Sequence, residues 1–167
     1  EQPLALDAIR LLARRGCLVA LGHTTADEGQ FDAAVAAGAR LVTHLFNGMS
    51  GIHHRSPGVA AFALTNDAVA ASLIADGVHV HPRVLRIAFT ALGHDCSVLV
   101  TDAVGWRAGT AGPVHLDMRD GAPRLPNGTL AGSALTMDTA VRTCVAAGVP
   151  LAAAVAAAST NPARLLG

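Results

Sequence analysis

Several side chains that can bind a metal or move a proton stand just past short apolar runs. His23 follows Cys17–Leu21, His44 follows Leu41–Thr43, and Asp102 follows Ser97–Thr101, while Asp76 and His79 close the run Ala70–Ala75. Neutral imidazole suits Zn2+ or Fe2+. Two imidazoles at the ends of consecutive strands can face one point, which makes His23 and His44 candidate metal ligands; a single His there would more simply pack or hydrogen-bond. A catalytic zinc takes three protein ligands and keeps one position open. Only two Glu are present, Glu1 and Glu28, and neither follows an apolar run, so the third ligand is expected outside this chain. Asp102 is a candidate general base, able to take a proton from metal-activated water and pass it to a leaving group. Its other reading is a turn cap within Thr101-Asp102-Ala103. His79 can donate to a substrate carbonyl or hydroxyl with Asp76 beside it, or the pair can be structural. Arg55, in the loop Gly51–Gly58, can grip a phosphate with its planar fork, or it can simply be solvated.

Such residues act together only if the elements before them end side by side. Pro3–Arg15 reads as a helix with Leu4, Ala8, Leu11 and Leu12 on one face and Gly16 as its stop. Cys17–Leu21 reads as a strand buried on both faces. Thr24 or Thr25 can cap a second helix through Ala37, with Phe31, Ala34 and Val35 inward and Gly38 ending it. Leu41–Thr43, Ala70–Ala75 and Ser97–Thr101 are further strands, separated by helices near Pro57–Leu64 and from Pro82 to Gly93. Apolar strands alternating with helices require a parallel sheet. The spread of polar residues over four strand ends favours half of a (β/α)8 barrel, whose catalytic groups come from several strands, over an open sheet with one switch point. Gly105–Gly132, rich in Gly and Pro, reads as a loop or β-hairpin excursion. Ser133 can cap a helix to Ala147, Leu151–Ala158 is helical, and Asn161-Pro162 suits the start of a last helix.

Composition narrows the function classes. Of 167 residues 51% are hydrophobic and 3% aromatic, so the core is built from Ala, Val and Leu. Twelve basic residues, all Arg, balance twelve acidic ones, which argues against nucleic acid as a partner. No GxGxxG or GxxxxGK[ST] loop is present to cradle a nucleotide. Cys17, Cys96 and Cys144 have no CxxC spacing and read as reduced core thiols. No apolar run suits a membrane span or a signal peptide, so the expectation is a cytoplasmic protein.

Five motifs occur in order: Leu21-Gly22-His23-Thr24, Thr43-His44-Leu45-Phe46-Asn47-Gly48-Met49, Ile74-Ala75-Asp76-Gly77-Val78-His79, Val100-Thr101-Asp102-Ala103 and Gly128-Thr129-Leu130-Ala131-Gly132-Ser133. Together they resemble the N-acetylglucosamine-6-phosphate deacetylase family of the amidohydrolase superfamily. The closing Ser159–Gly167 is similar to the superfamily's last barrel helix. The resemblance implies that residues 1–167 are the C-terminal half of a catalytic barrel: β/α repeats to 104, the excursion 105–132, and helices 133–167. The upstream barrel half, its Glu metal ligand and a small β-sandwich would lie outside the chain. It further implies one or two divalent ions, Zn or Fe, held in part by His23 and His44, with Asp102 as catalytic acid/base. Asn47, Gly48 and Arg55 would contact the sugar phosphate, Asp76 and His79 the substrate's sugar or acetamide, and Leu130, Ala131 and Gly132 would line the sugar pocket. Gly48 stands where Ala is usual in the family. The implied enzyme hydrolyses the N-acetyl group of the amino-sugar phosphate and forms a homodimer at full length. Two alternatives are an amidohydrolase acting on a ring amide or an N-acyl amino acid, and a half-barrel that binds sugar phosphate without turnover.

Overall fold

The computed structural model describes residues 2–105, 110–111 and 114–167. Glu1, Trp106 and part of the expected excursion lie outside the described residues. Four strands, β1 (Val19–Leu21), β2 (Ala39–Val42), β3 (Ala70–Ile74) and β4 (Ser97–Val100), form one sheet in the order β1-β2-β3-β4. Every neighbouring pair is parallel, because a helix carries the chain back between strands. These are α1 (Ala5–Arg14) before β1, then α2 (Glu28–Ala37), α3 (Gly58–Leu64) and α4 (Pro82–Cys96). The architecture is α/β, a curved run of β/α units that forms part of a barrel and does not close.

The core follows the apolar periodicity closely on the inner strands. All of β3 is buried, and its Leu73 and Ile74 share one core cluster with Val42, Leu45, Val59, Phe31, Leu85 and Phe89. The edge strand behaves differently. Val19 is buried but Ala20 is exposed, so β1 is not covered on both faces. Ala20 lines an open cleft of about 810 Å3 between α1 and α2 that reaches His23. The inward face of α1 also differs from expectation. Leu4, Ala8, Leu11 and Leu12 are exposed, while Ile9 is buried with Leu6 and Ala13 against it. The stripe that meets β1 and α2 is therefore Leu6–Ile9–Ala13, spaced at three and four residues.

At the start of α2 a side-chain hydrogen bond, not the nearest Thr, sets the boundary. Asp27, not Thr24 or Thr25, caps α2: its carboxylate accepts from Gln30 N at 2.8 Å, and Gln30 returns a bond to Asp27 N at 3.0 Å. Gly38, at φ 119°, ends that helix. Gly93 breaks α4 at φ 73°, ψ 171°.

Beyond β4 the excursion contains two antiparallel pairs, β5 (Thr110–Ala111) with β6 (Val114–His115) and β7 (Asp117–Arg119) with β8 (Ala122–Arg124). Three helices follow: α5 (Met137–Ala146), α6 (Leu151–Ala158) and α7 (Thr160–Leu166). Thr136 rather than Ser133 stands at the N-cap of α5. Asn161 is not a cap either. It lies inside α7, 1% exposed, and donates to His94 O at 2.6 Å and Ser97 O at 2.8 Å. That bracket fastens α7 to the corner between α4 and β4.

The three cysteines are free. Only Cys144 is a core thiol in the full sense, and burial pushes its pKa up to about 11; Cys17 is exposed. Among the described residues no helix is long and apolar enough to cross a membrane.

Candidate active site

Parallel pairing puts the residues that follow β1, β2, β3 and β4 at one end of the sheet. Three of them share an uncommon backbone. His23 has φ 48°, His44 φ 33° and Asp102 φ 50°, the left-handed region that residues with a Cβ rarely occupy. Each turns the chain sharply as its strand ends. Strain of this kind persists only where the surroundings over-determine it, and it gathers at active sites.

His23 and His44 meet. Their ring centroids are 4.7 Å apart with planes at 85°. His44 is 8% exposed and its Nδ1 has no hydrogen-bond partner, an unusual state for a buried polar atom. A divalent cation would satisfy it, so this pair of imidazoles fits a metal's donor chemistry. Gly48, at φ 63°, presses its backbone on the His23 ring: a Cβ there would fall 2.6 Å from His23 Nδ1. Asn47 beside it turns its amide back to His44 O and Leu45 O, each at 3.3 Å.

Past β3, Asp76 and His79 form a closed dyad. His79 Nδ1 donates to Asp76 Oδ2 at 2.6 Å, with both side chains less than a tenth exposed. Asp76 Oδ1 accepts from Val78 N at 2.9 Å and His79 N at 2.7 Å. Burial pushes the Asp76 carboxyl up, but the His79 ring and these two amides outweigh it and hold its pKa below the ordinary value. Both carboxylate oxygens are thus engaged within the loop. Asp76 addresses His79 and the loop's own amides.

Asp102 is exposed, at the far edge of the sheet. Three strand intervals, about 14 Å at ~4.8 Å each along a flat sheet, separate the ends of β1 and β4. Among the described residues no three His, Cys, Asp or Glu side chains are grouped to hold a metal, so Asp102 does not join the imidazoles in a cage. Its backbone is fixed by a buried neighbour. Ser133 N donates to Asp102 O at 2.8 Å, Val104 N donates to Ser133 O at 3.0 Å, and the Ser133 hydroxyl donates to Thr101 O. Gly132, at φ 118°, permits this approach, since a Cβ would sit 2.9 Å from Asp102 O. The segment Leu130–Gly132 is therefore stitched to the Asp102 turn, and Ala131 N also donates to Pro123 O of the β7–β8 hairpin at 3.0 Å.

Arg55 stands apart from these residues on an exposed loop. Its guanidinium donates to His54 Nε2 at 2.7 Å, and the rings of His53 and His54 lie tilted at 40° with centroids 4.4 Å apart. Two serines escaped the reading of the sequence: Ser133, taken as a helix cap, and Ser72 within β3. A lone hydroxyl residue inside the run Ala70–Ala75 was the available signal for Ser72.

No family model matches the chain. Curated relatives do. N-acetylglucosamine-6-phosphate deacetylase of Vibrio furnissii is 42% identical over 173 residues, covering 100% of this chain and 43% of the relative. N-acetylgalactosamine-6-phosphate deacetylase of Escherichia coli is also 42% identical, over 100% of this chain and 46% of the relative. Among solved structures, an Asp-to-Ala variant of N-acetyl-D-glucosamine-6-phosphate deacetylase from Mycobacterium smegmatis, in complex with N-acetyl-D-glucosamine-6-phosphate, superposes with TM-score 0.92. It is 38% identical, over 100% of this chain and 47% of that one. The Thermotoga maritima enzyme superposes with TM-score 0.90 at 30% identity, over 98% of this chain and 47% of that one. The chain spans a little under half the length of the curated relatives it matches.

Proposed function

We propose that this chain, homologous along its whole length to a part of the N-acetylglucosamine-6-phosphate deacetylases, is the C-terminal barrel portion of an enzyme that removes the acetyl group from N-acetylglucosamine-6-phosphate. The products are glucosamine-6-phosphate and acetate. One observation carries the reading: two imidazoles from neighbouring strand ends meet at 4.7 Å, and the buried one keeps an unpartnered Nδ1. Other segments of the protein would complete the barrel, supply the remaining metal ligand and add a β-sandwich. The assembled protein would be a cytoplasmic homodimer.

His23 and His44 would hold a divalent ion, zinc or iron, which when bound supplies Lewis acidity at the acetyl carbonyl. His79 binds and orients the acetamide. Asp76 holds the His79 ring by Nδ1, so the opposite nitrogen is the one presented to substrate. Asp102 accepts the proton of the attacking water and hands it to the departing amine, whose expulsion needs that proton. Its exposure suits a group that must reach substrate. Arg55, from its separate loop, takes the phosphate, Asn47 and Gly48 contact the sugar phosphate from the turn after β2, and Leu130–Gly132 forms a wall of the sugar pocket.

A second reading concerns the sugar alone. The E. coli relative named for the galactosamine epimer is as similar as the V. furnissii one, and C4 epimers differ by the direction of one hydroxyl. Amine release by the intact protein from N-acetylglucosamine-6-phosphate, N-acetylgalactosamine-6-phosphate and unphosphorylated N-acetylglucosamine tests both readings. The glucosamine ester is expected to give the highest kcat/KM. Release from neither phosphate ester removes the proposal.

A further inference from the structure

We propose that Ser72 is a positioning residue that holds His44 in its left-handed backbone conformation and so sets the direction of its imidazole. Ser72 stands in β3 among Ala70, Ala71, Leu73 and Ile74, all buried, and is itself 3% exposed. A hydroxyl in such surroundings is unfavourable unless its hydrogen bonds are made. They are made to the preceding strand end. His44 N donates to Ser72 Oγ at 2.7 Å, and the next amide, Leu45 N, donates to Ser72 O at 2.8 Å. The hydroxyl proton points back to Val42 O at 3.4 Å.

Two consecutive N–H groups thus end on one residue. The reason lies in the backbone. A regular parallel ladder ends at the Val42–Ala71 pair; beyond it the His44 N–H ends on the serine side-chain oxygen, and the strand carbonyl of Ser72 is taken by Leu45 N after the chain has turned at His44, φ 33°. Alanine would fit the same space but would leave that buried amide without a partner, and the chain could then relax toward an ordinary φ. The Ser72 hydroxyl bonds His44 N and Val42 O; it acts through His44.

The affinity readout below rests on His44 being a metal ligand, whereas the backbone readout does not. In the intact protein, Ser72→Ala is expected to speed amide hydrogen exchange at His44 and to weaken Co2+ binding, followed by the cobalt d–d absorption, by roughly 10–100-fold, the range found for residues that orient a ligand. Ser97→Ala is the control. Ser97 is equally buried and donates to Gly93 O at 2.8 Å, so it should lose stability while leaving His44 exchange and Co2+ affinity unchanged. Ser72→Thr keeps the acceptor oxygen and should protect the His44 amide as Ser does. Unchanged His44 exchange in Ser72→Ala, a Thr variant that behaves like Ala, or an equal loss of cobalt in Ser97→Ala overturns the proposal. A wild-type protein that binds no cobalt instead defeats the metal reading of His44, and the exchange rates alone then decide the role of Ser72.

Discussion

The ring of His23 stands edge-on to the ring of His44, their planes 85° apart, with the backbone of Gly48 against the Nδ1 side of His23. Two residues 21 positions apart in sequence are joined here because β1 and β2 are parallel neighbours and both chains turn through positive φ immediately afterwards.

If these imidazoles hold a cation, removing either should empty the site without unfolding the sheet. His23→Ala is the cleaner variant, since His23 is exposed. It should lower Zn2+ or Co2+ affinity by about a hundredfold or more, equivalent to ~2.7 kcal/mol, with little change in thermal midpoint. His44→Ala should lose metal to a similar degree and also stability, because His44 is buried. Calorimetric titration of the metal-free protein measures both, and undiminished affinity in His23→Ala would contradict the assignment.

Asp102→Asn keeps the shape of the residue and removes its basicity. A general acid–base group contributes about 10²–10⁴-fold, so kcat should fall by that factor, or ~3–5 kcal/mol, while KM moves little. A KM effect without a kcat effect would mark Asp102 as a binding residue instead.

The dyad gives a prediction with two independent readouts. In Asp76→Asn the side chain presents either an N–H or a neutral oxygen to His79, so the Nδ1 tautomer is no longer enforced. Nitrogen-15 shifts of the His79 ring should show a mixed or inverted tautomer, with kcat reduced roughly 10–100-fold.

Stability against pH follows from the depressed pKa of Asp76. Its folded value lies below the unfolded ~3.9, so its ionised form stabilises the protein fully above about pH 4. That contribution is lost as pH falls through the folded value. Wild type should therefore be more stable than Asp76→Asn at neutral pH, and the gap should narrow in denaturant melts as pH falls below about 4. A gap that stays constant over that range would mean the carboxylate's charge contributes nothing.

Arg55 tests the substrate's anionic end. Arg55→Ala should reduce kcat/KM for the phosphorylated sugar far more than for N-acetylglucosamine itself, by about tenfold or more relative to it, the size of one charge-assisted contact. Equal losses on the two substrates would leave Arg55 as a solvated loop residue bonded to its neighbours His53 and His54.

Local pattern carried much of this molecule. Short apolar runs alternating with helices bounded by Pro or Gly are enough to demand a parallel sheet, because a helix between two strands returns the chain to the same edge. That argument alone puts His23, His44, Asp76 and Asp102 at one end. Hydrogen-bond choices were less legible. Asp27 displaced Thr24 and Thr25 as the α2 cap through its reciprocal bonds with Gln30, and Leu11 and Leu12 turned outward because Ile9 meets β1 and α2. Asn161, which has the composition of a cap, is a buried bracket.

What the sequence determined by itself is the identity and order of the groups that can do chemistry, since residue type and strand-end position are one-dimensional facts. Only the tertiary structure decided which of them touch. The edge contact of His23 with His44, the sealing of both Asp76 oxygens, and the clamp of Ser72 on two successive amides depend on where neighbouring strands end relative to one another and on the sign of φ at single residues. Those quantities are fixed by packing across the sheet, which no local pattern encodes.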